Sequence, residues 1–248
     1  MKNYFKRIFS QTKPWELVLW WIFRCLMIAG IFLPLFPSLM EKLPTTRSAI
    51  PFAQNLLQMG ANTVAMFLWE IFMMFPEKSY VRQIPAYVQN VSVPFVFATA
   101  FCGAYLNMYY SLWWWDSFLH TLGAFIGVFA GYEFVCAIQK RDKCKLNLSI
   151  ALFASFAFCF VFGVAWELFA FTYDQIALGD SQHWSAALAH EGYRTLFPAR
   201  DPERFALMDT MGDTVCNTLG AVLGYIVLRI YPYNHRGARD LNKKFAEQ

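Results

Sequence analysis

The sequence predicts an all-α fold, a polytopic membrane bundle of about six transmembrane helices, and three observations predict it. Hydrophobic residues make up 57% of the chain and charged residues only 15%, outside the range of a soluble domain. The apolar residues gather in runs near twenty residues, which suit helices, whereas barrel strands would need about ten residues in strict alternation. Lysines and arginines cluster beside those runs, where lipid headgroups and topology explain them.

The first expected span covers residues 15–36, carries Arg24 and ends in a Pro-rich turn. The second covers residues 51–75, carries Glu70 and stops at Pro76. A third covers residues 91–109. Trp113, Trp114 and Trp115 suit an interface belt at the head of the fourth span, residues 112–138. The fifth and sixth, residues 146–171 and 205–230, flank one long polar loop, residues 172–204. Residues 1–248 thus read as a single transmembrane domain with no soluble partner domain. The basic start (Lys2, Lys6, Arg7, Lys13) is followed by a run longer than that of a signal peptide and without a small-residue cleavage site, so it is expected to remain as the first span.

Loop charge sets the orientation. The N-terminus, the run Lys140, Arg141, Lys143 and Lys145, and the tail with Arg236, Arg239, Lys243 and Lys244 are the richest in basic residues. Six spans place all three on the cytoplasmic side together with the Lys78 and Arg82 loop, so both termini are expected to be cytoplasmic. The net charge of +4 lies in these flanking clusters, which argues against a nucleic-acid partner. Six cysteines with no CxxC pair are expected to be free, packing thiols.

Against this apolar background the acidic residues stand out. Asp116 and His120 share one face near the outer end of the fourth span, Glu167 lies one turn before the outer end of the fifth, and Asp209, Asp213 and Asn217 descend one face of the sixth. The orientation was read from loop charge alone, yet it brings all of them to similar depth. Ionised groups in lipid cost a few kcal/mol each, so the set calls for a cation, a proton or a water-filled cavity. Oxygen-rich ligation with one nitrogen suits a divalent metal, Mg²⁺, Mn²⁺ or Ca²⁺ first, with Zn²⁺ or non-haem iron next. The expected ligands are Asp116, His120, Glu167, Asp209 and Asp213, with Glu167 and Asp209 also the candidate catalytic carboxylates. The competing reading is mutual hydrogen bonding among these groups and Thr121, Thr210, Thr214 and Thr218.

Asn217, Asp174, His183 and His190 are additional candidates. Asp174 follows Glu167 by seven residues and continues its face if the helix runs that far, and the two histidines lie in a loop whose aromatics suit an interfacial lid. Arg24, Glu70 and Glu133, all toward the cytoplasmic half, read as a structural ion-pair group. Small residues recur every fourth position, Gly123, Gly127 and Gly131 in one span and Gly212, Cys216, Gly220 and Gly224 in another. DSFLHTLGAFIG from Asp116 and DTVCNTLGAVLG from Asp213 align, which suggests an internal repeat of two parallel spans or convergence on a common glycine pattern. No GxSxG elbow, Walker loop, dinucleotide fingerprint or HExxH is present.

The segments WDSFLHTLGAF, AWELFAF and MDTMGDTVCNTLGA, covering about the C-terminal half, resemble the YjdF family of bacterial inner-membrane proteins, which defines a domain of unknown function. Asp116, His120, Glu167, Asp209, Thr210 and Asp213 match that family's pattern, while Leu119, Thr121 and Met211-Gly212 depart from it. The resemblance implies a six-span fold in a bacterial cytoplasmic membrane and brings no activity with it. From the residues, the expected function is a membrane-embedded metal-dependent hydrolase or transferase acting on a lipid or lipid-linked headgroup at the outer face. The alternatives are a cation- or proton-coupled transporter and a structural or partner-binding protein. Membrane lipid is the expected partner, and a homo-oligomer is a candidate assembly.

Overall fold

Pro14 in the first turn, with no further proline until Pro34, sets the first long helix. The computed structural model describes residues 2–43, 52–177, 181–182 and 204–231, and among them the only regular elements are helical. The chain divides into two compact units, Met1–Ser111 and Leu112–Gln248.

The first unit opens with α1, Lys2–Gln11, and α2, Pro14–Phe32, separated by a turn in which the Lys13 N–H donates to Glu16 Oε2 at 2.6 Å. Phe5 and Phe9 on α1 are exposed beside Lys6, the pattern of a helix lying in the membrane interface. Arg7 on this helix, held by the Arg82 and Ile84 carbonyls, has its pKa lowered by burial and by the neighbouring Arg82. The second apolar run is not one straight span. It forms α3, Phe52–Met66, and α4, Leu68–Met74, bent by 64° at Phe67.

The third run is shorter than expected. It contains α5, Gln89–Phe97, with Pro94 inside it and a π-helical turn, Ala98–Cys102, directly after it. Proline removes a backbone donor and crowds the preceding turn, which weakens this short helix. Methionines and aromatics (Trp20, Met27, Met59, Met66, Tyr105), joined by Val93, fill the core of this unit. One buried junction ties three of its elements together: Asn55 Nδ2 donates to the Gly30 and Ile31 carbonyls at 3.0 and 2.9 Å, and the Tyr105 hydroxyl reaches the Gly30 carbonyl at 2.5 Å.

The second unit is a three-helix bundle of α6, Trp115–Asp142, α7, Leu148–Ala177, and α8, Phe205–Ile230. Glycine sets its geometry. A Cβ on Gly220 would collide with the Thr121 carbonyl, and one on Gly224 would lie 3.0 Å from the Phe125 carbonyl, so α6 and α8 run parallel with their backbones in contact. Gly131 approaches the Ser155 carbonyl in the same way, at 2.9 Å, and Gly127 approaches Cys159, so α7 is antiparallel to α6. The two segments of the suggested repeat therefore lie side by side in parallel. At 30 residues α7 is about 45 Å long and runs past the expected end at residue 171, which shortens the polar loop from its N-terminal side.

Phe153, Val161, Phe162, Val164 and Leu168 on α7 and Leu219, Leu223 and Ile226 on α8 are exposed, as lipid-facing surface should be. Among the described residues, four helices are long and apolar enough to cross a membrane, and the bent α3–α4 pair makes five. The remaining expected span, the third at residues 91–109, corresponds to the 17-residue stretch Ala86–Cys102, shortened because the chain leaves helical geometry after Tyr105. None of the six cysteines is in a disulfide, with Cys136, Cys159 and Cys216 buried and Cys25 and Cys144 exposed rather than packed.

Candidate functional site

Asp116 lies in the first turn of α6, where the helix N-terminus favours a carboxylate, and His120 lies one turn further on. The close approach at Gly220 brings Asp213 of α8 against the same face. His120 Nε2 is 3.7 Å from Asp116 Oδ1 and 3.4 Å from Asp213 Oδ2. Both carboxyls flank the imidazole, and one ligand atom from each of the three residues lies within 4.8 Å of the others. These side chains are largely shielded, with 20%, 12% and 11% exposure for Asp116, His120 and Asp213.

Two further carboxylates adjoin them. Asp209, one turn before Asp213, is buried and interacts electrostatically with both Asp213 and Glu167. Glu167, on α7, interacts with His120, Asp209 and Asp116. The five residues singled out as ligands are thus drawn from three helices into one region, with Asp116, His120 and Asp213 in the tightest contact.

Asn217 lies one turn beyond Asp213, close to Gly163, and lines a cavity of about 310 Å³ between α7 and α8. Glu167, Thr214 and Gln182 also line that cavity, whose remaining wall is apolar apart from Cys159. Asp174 has a different role. Its carboxylate oxygens accept the backbone N–H groups of Ser181 and Gln182 at 2.7 and 2.9 Å, so it organises the chain leaving α7. His183 and His190 lie outside the described residues.

Arg24 and Glu70 pair within the first unit, Nη1 to Oε1 at 2.9 Å and Nη2 to Oε2 at 3.0 Å. The same Nη2 donates to the Met66 carbonyl at 2.6 Å and to Gln89 Oε1, and the guanidinium lies 4.2 Å from the Phe67 ring centroid. Glu133 belongs to the second unit, where it is buried in α6, so the three-residue grouping expected from depth alone is not a single-unit feature. Gln89 was missed as a partner of Arg24. A glutamine in a short apolar helix was its only signal.

The chain belongs to the family described as "Predicted membrane protein (DUF2238)". The match covers residues 47–234 and so extends well beyond the half that carries the motifs. A protein of Thermotoga maritima named "Uncharacterized protein" is 28% identical over 100 residues, 40% of this chain and 50% of the relative, so the match spans about half of that relative's length. No solved structure matches. Family membership supports the membrane assignment and leaves the chemistry to be read from the site.

Proposed function

We propose that the protein is a membrane-embedded, metal-dependent enzyme, a hydrolase or transferase acting on a lipid or lipid-linked headgroup at the extracytoplasmic face of the bacterial cytoplasmic membrane. The observation that carries this reading is the convergence of one imidazole nitrogen and two carboxyls, from two helices, with further carboxylates in reach. Ligands bound to one small divalent ion at about 2.0–2.2 Å sit roughly 3 Å apart, so separations of 3.4 and 3.7 Å need only small side-chain rotations to fit. Asp116, His120 and Asp213 would hold Mg²⁺, Mn²⁺, Ca²⁺ or Zn²⁺, with Asp209 and Glu167 beside them. The ion would supply Lewis-acid charge, and Glu167 or Asp209 would accept the proton of an attacking water. The basic residues flanking the apolar runs support an outward-facing position at headgroup depth for this end of the bundle.

Protein purified in detergent without chelator should carry near-stoichiometric metal by mass spectrometry, and the Asp116→Asn/Asp213→Asn double variant should lose it while remaining folded. Wild-type protein that holds no metal and takes up none of Mg²⁺, Mn²⁺, Ca²⁺ or Zn²⁺ sinks this reading. A second reading, cation- or proton-coupled transport, draws on the bent α3–α4 pair with its part-buried Arg24–Glu70 contact, since broken spans often build transport sites. Flux into proteoliposomes by metal-free protein, abolished by Glu70→Gln, would favour it.

A further inference from the structure

The cavity beside the carboxylates follows a helical stripe. Cys159, Phe160, Gly163, Val164, Glu167, Leu168 and Phe171 recur along one face of α7 over three turns, about 18 Å of helix. The groove therefore runs along the bundle axis, as a lipid chain does in a bilayer. Val164, Leu168 and Phe171 along its wall are exposed on the surface left for lipid, so a chain can enter sideways from the membrane. The glycine at position 163 keeps the groove open: a Cβ there would meet only Asn217, at 3.6 Å. Its contents differ from end to end. Cys159 and Phe160 close the apolar end, while Glu167, Thr214 and Gln182 gather at the other, where Glu167 also feels Asp116 and Asp209.

We propose that this groove binds one acyl chain of a zwitterionic, ethanolamine-headed phospholipid and presents the headgroup to the Asp116–His120–Asp213 site. An acidic polar end complements the ammonium of that headgroup and repels the purely anionic head of a glycerol-linked phospholipid. A cavity of about 310 Å³ stands at the lower end of the range of small-molecule sites, about 300–1,000 Å³, so it takes the part of one chain nearest the headgroup and leaves no room for a second. The inference rests on the proposed function for its consequence, the delivery of a substrate head, but its binding step needs no metal.

The test uses the full chain, treated with chelator and returned to nanodiscs holding equal dioleoyl phosphatidylethanolamine and dioleoyl phosphatidylglycerol, with retained lipid counted by native mass spectrometry. The expected result is one tightly held ethanolamine lipid per chain, at least ten-fold over the glycerol lipid. Gly163→Phe should empty the groove, and Val164→Trp is a second block in case the first variant misfolds. Glu167→Gln should leave the chain bound and reduce the headgroup preference to two-fold or less. Phe153→Trp, on the lipid-facing surface outside the groove, should change nothing. Equal retention of the two lipids, or retention unaltered by both folded blocking variants, overturns the proposal. Because the protein is metal-free throughout, that failure leaves the metal assay standing, and a failed metal assay leaves the lipid count standing.

Discussion

Asp174 and Asp213 are both buried aspartates, yet their surroundings give them different work. Asp174 spends both oxygens on the Ser181 and Gln182 amides, so it is a structural acceptor rather than a free ligand. Asp174→Ala should remove both of these part-buried hydrogen bonds and cost about 1–3 kcal/mol. Hydrogen exchange at Ser181 and Gln182 should quicken markedly while metal content stays at the wild-type level; a loss of metal would instead make Asp174 part of the site. Sequence spacing identified Asp174 as a continuation of the Glu167 face, and α7 does extend that far. It gave no hint of the hydrogen bonds, because the amides that occupy Asp174 come from residues beyond the helix whose path no periodicity encodes. The Asp116–His120 pair was legible for the opposite reason: a four-residue spacing inside one helix fixes proximity locally.

At the level of elements, the α6–α8 seam is where small residues have the largest effect. Gly220→Ala drives a methyl group into the Thr121 carbonyl, and overpacking of this kind costs about 1–3 kcal/mol or forces the helices apart. Lower thermal stability in detergent and a wider Asp116–Asp213 separation, read as weaker metal retention, are expected. Gly60→Ala is the control, since its nearest neighbour would be a Leu56 methyl at 4.0 Å, and it should be neutral or mildly stabilising through helix propensity. Equal effects of the two substitutions would show that the seam does not depend on the missing side chain. The four-residue glycine pattern announced a close helix contact, but which helices meet, and at which carbonyl, depends on tertiary register. The bend at Phe67 was hidden for a related reason: no proline or glycine marks it, and what satisfies the loosened backbone comes from a different helix.

Across the whole molecule, apolar runs and flanking charge were enough to identify a helical membrane protein, while the division into two units and the short third run were not. Both depend on where the chain bends, and Pro94 was the only local sign of it. The first unit offers its own test. Arg24→Ala leaves the part-exposed Glu70 carboxylate without its partner and should destabilise the protein by about 1.5–3 kcal/mol. Arg24→Met with Glu70→Met removes both charges and should be clearly milder, retaining only the penalty of the Met66 carbonyl and Gln89 left unpaired. Thermal unfolding in detergent separates the two, and a double variant as unstable as the single one would rule out stranded charge as the cause.

One guanidinium, then, closes the loose main chain of a broken helix, neutralises an acid on the next segment and anchors a glutamine on a third. It acts as a keystone: these three pieces should come apart together rather than fray one by one, giving the first half of the chain a single abrupt transition despite its fragmented helices.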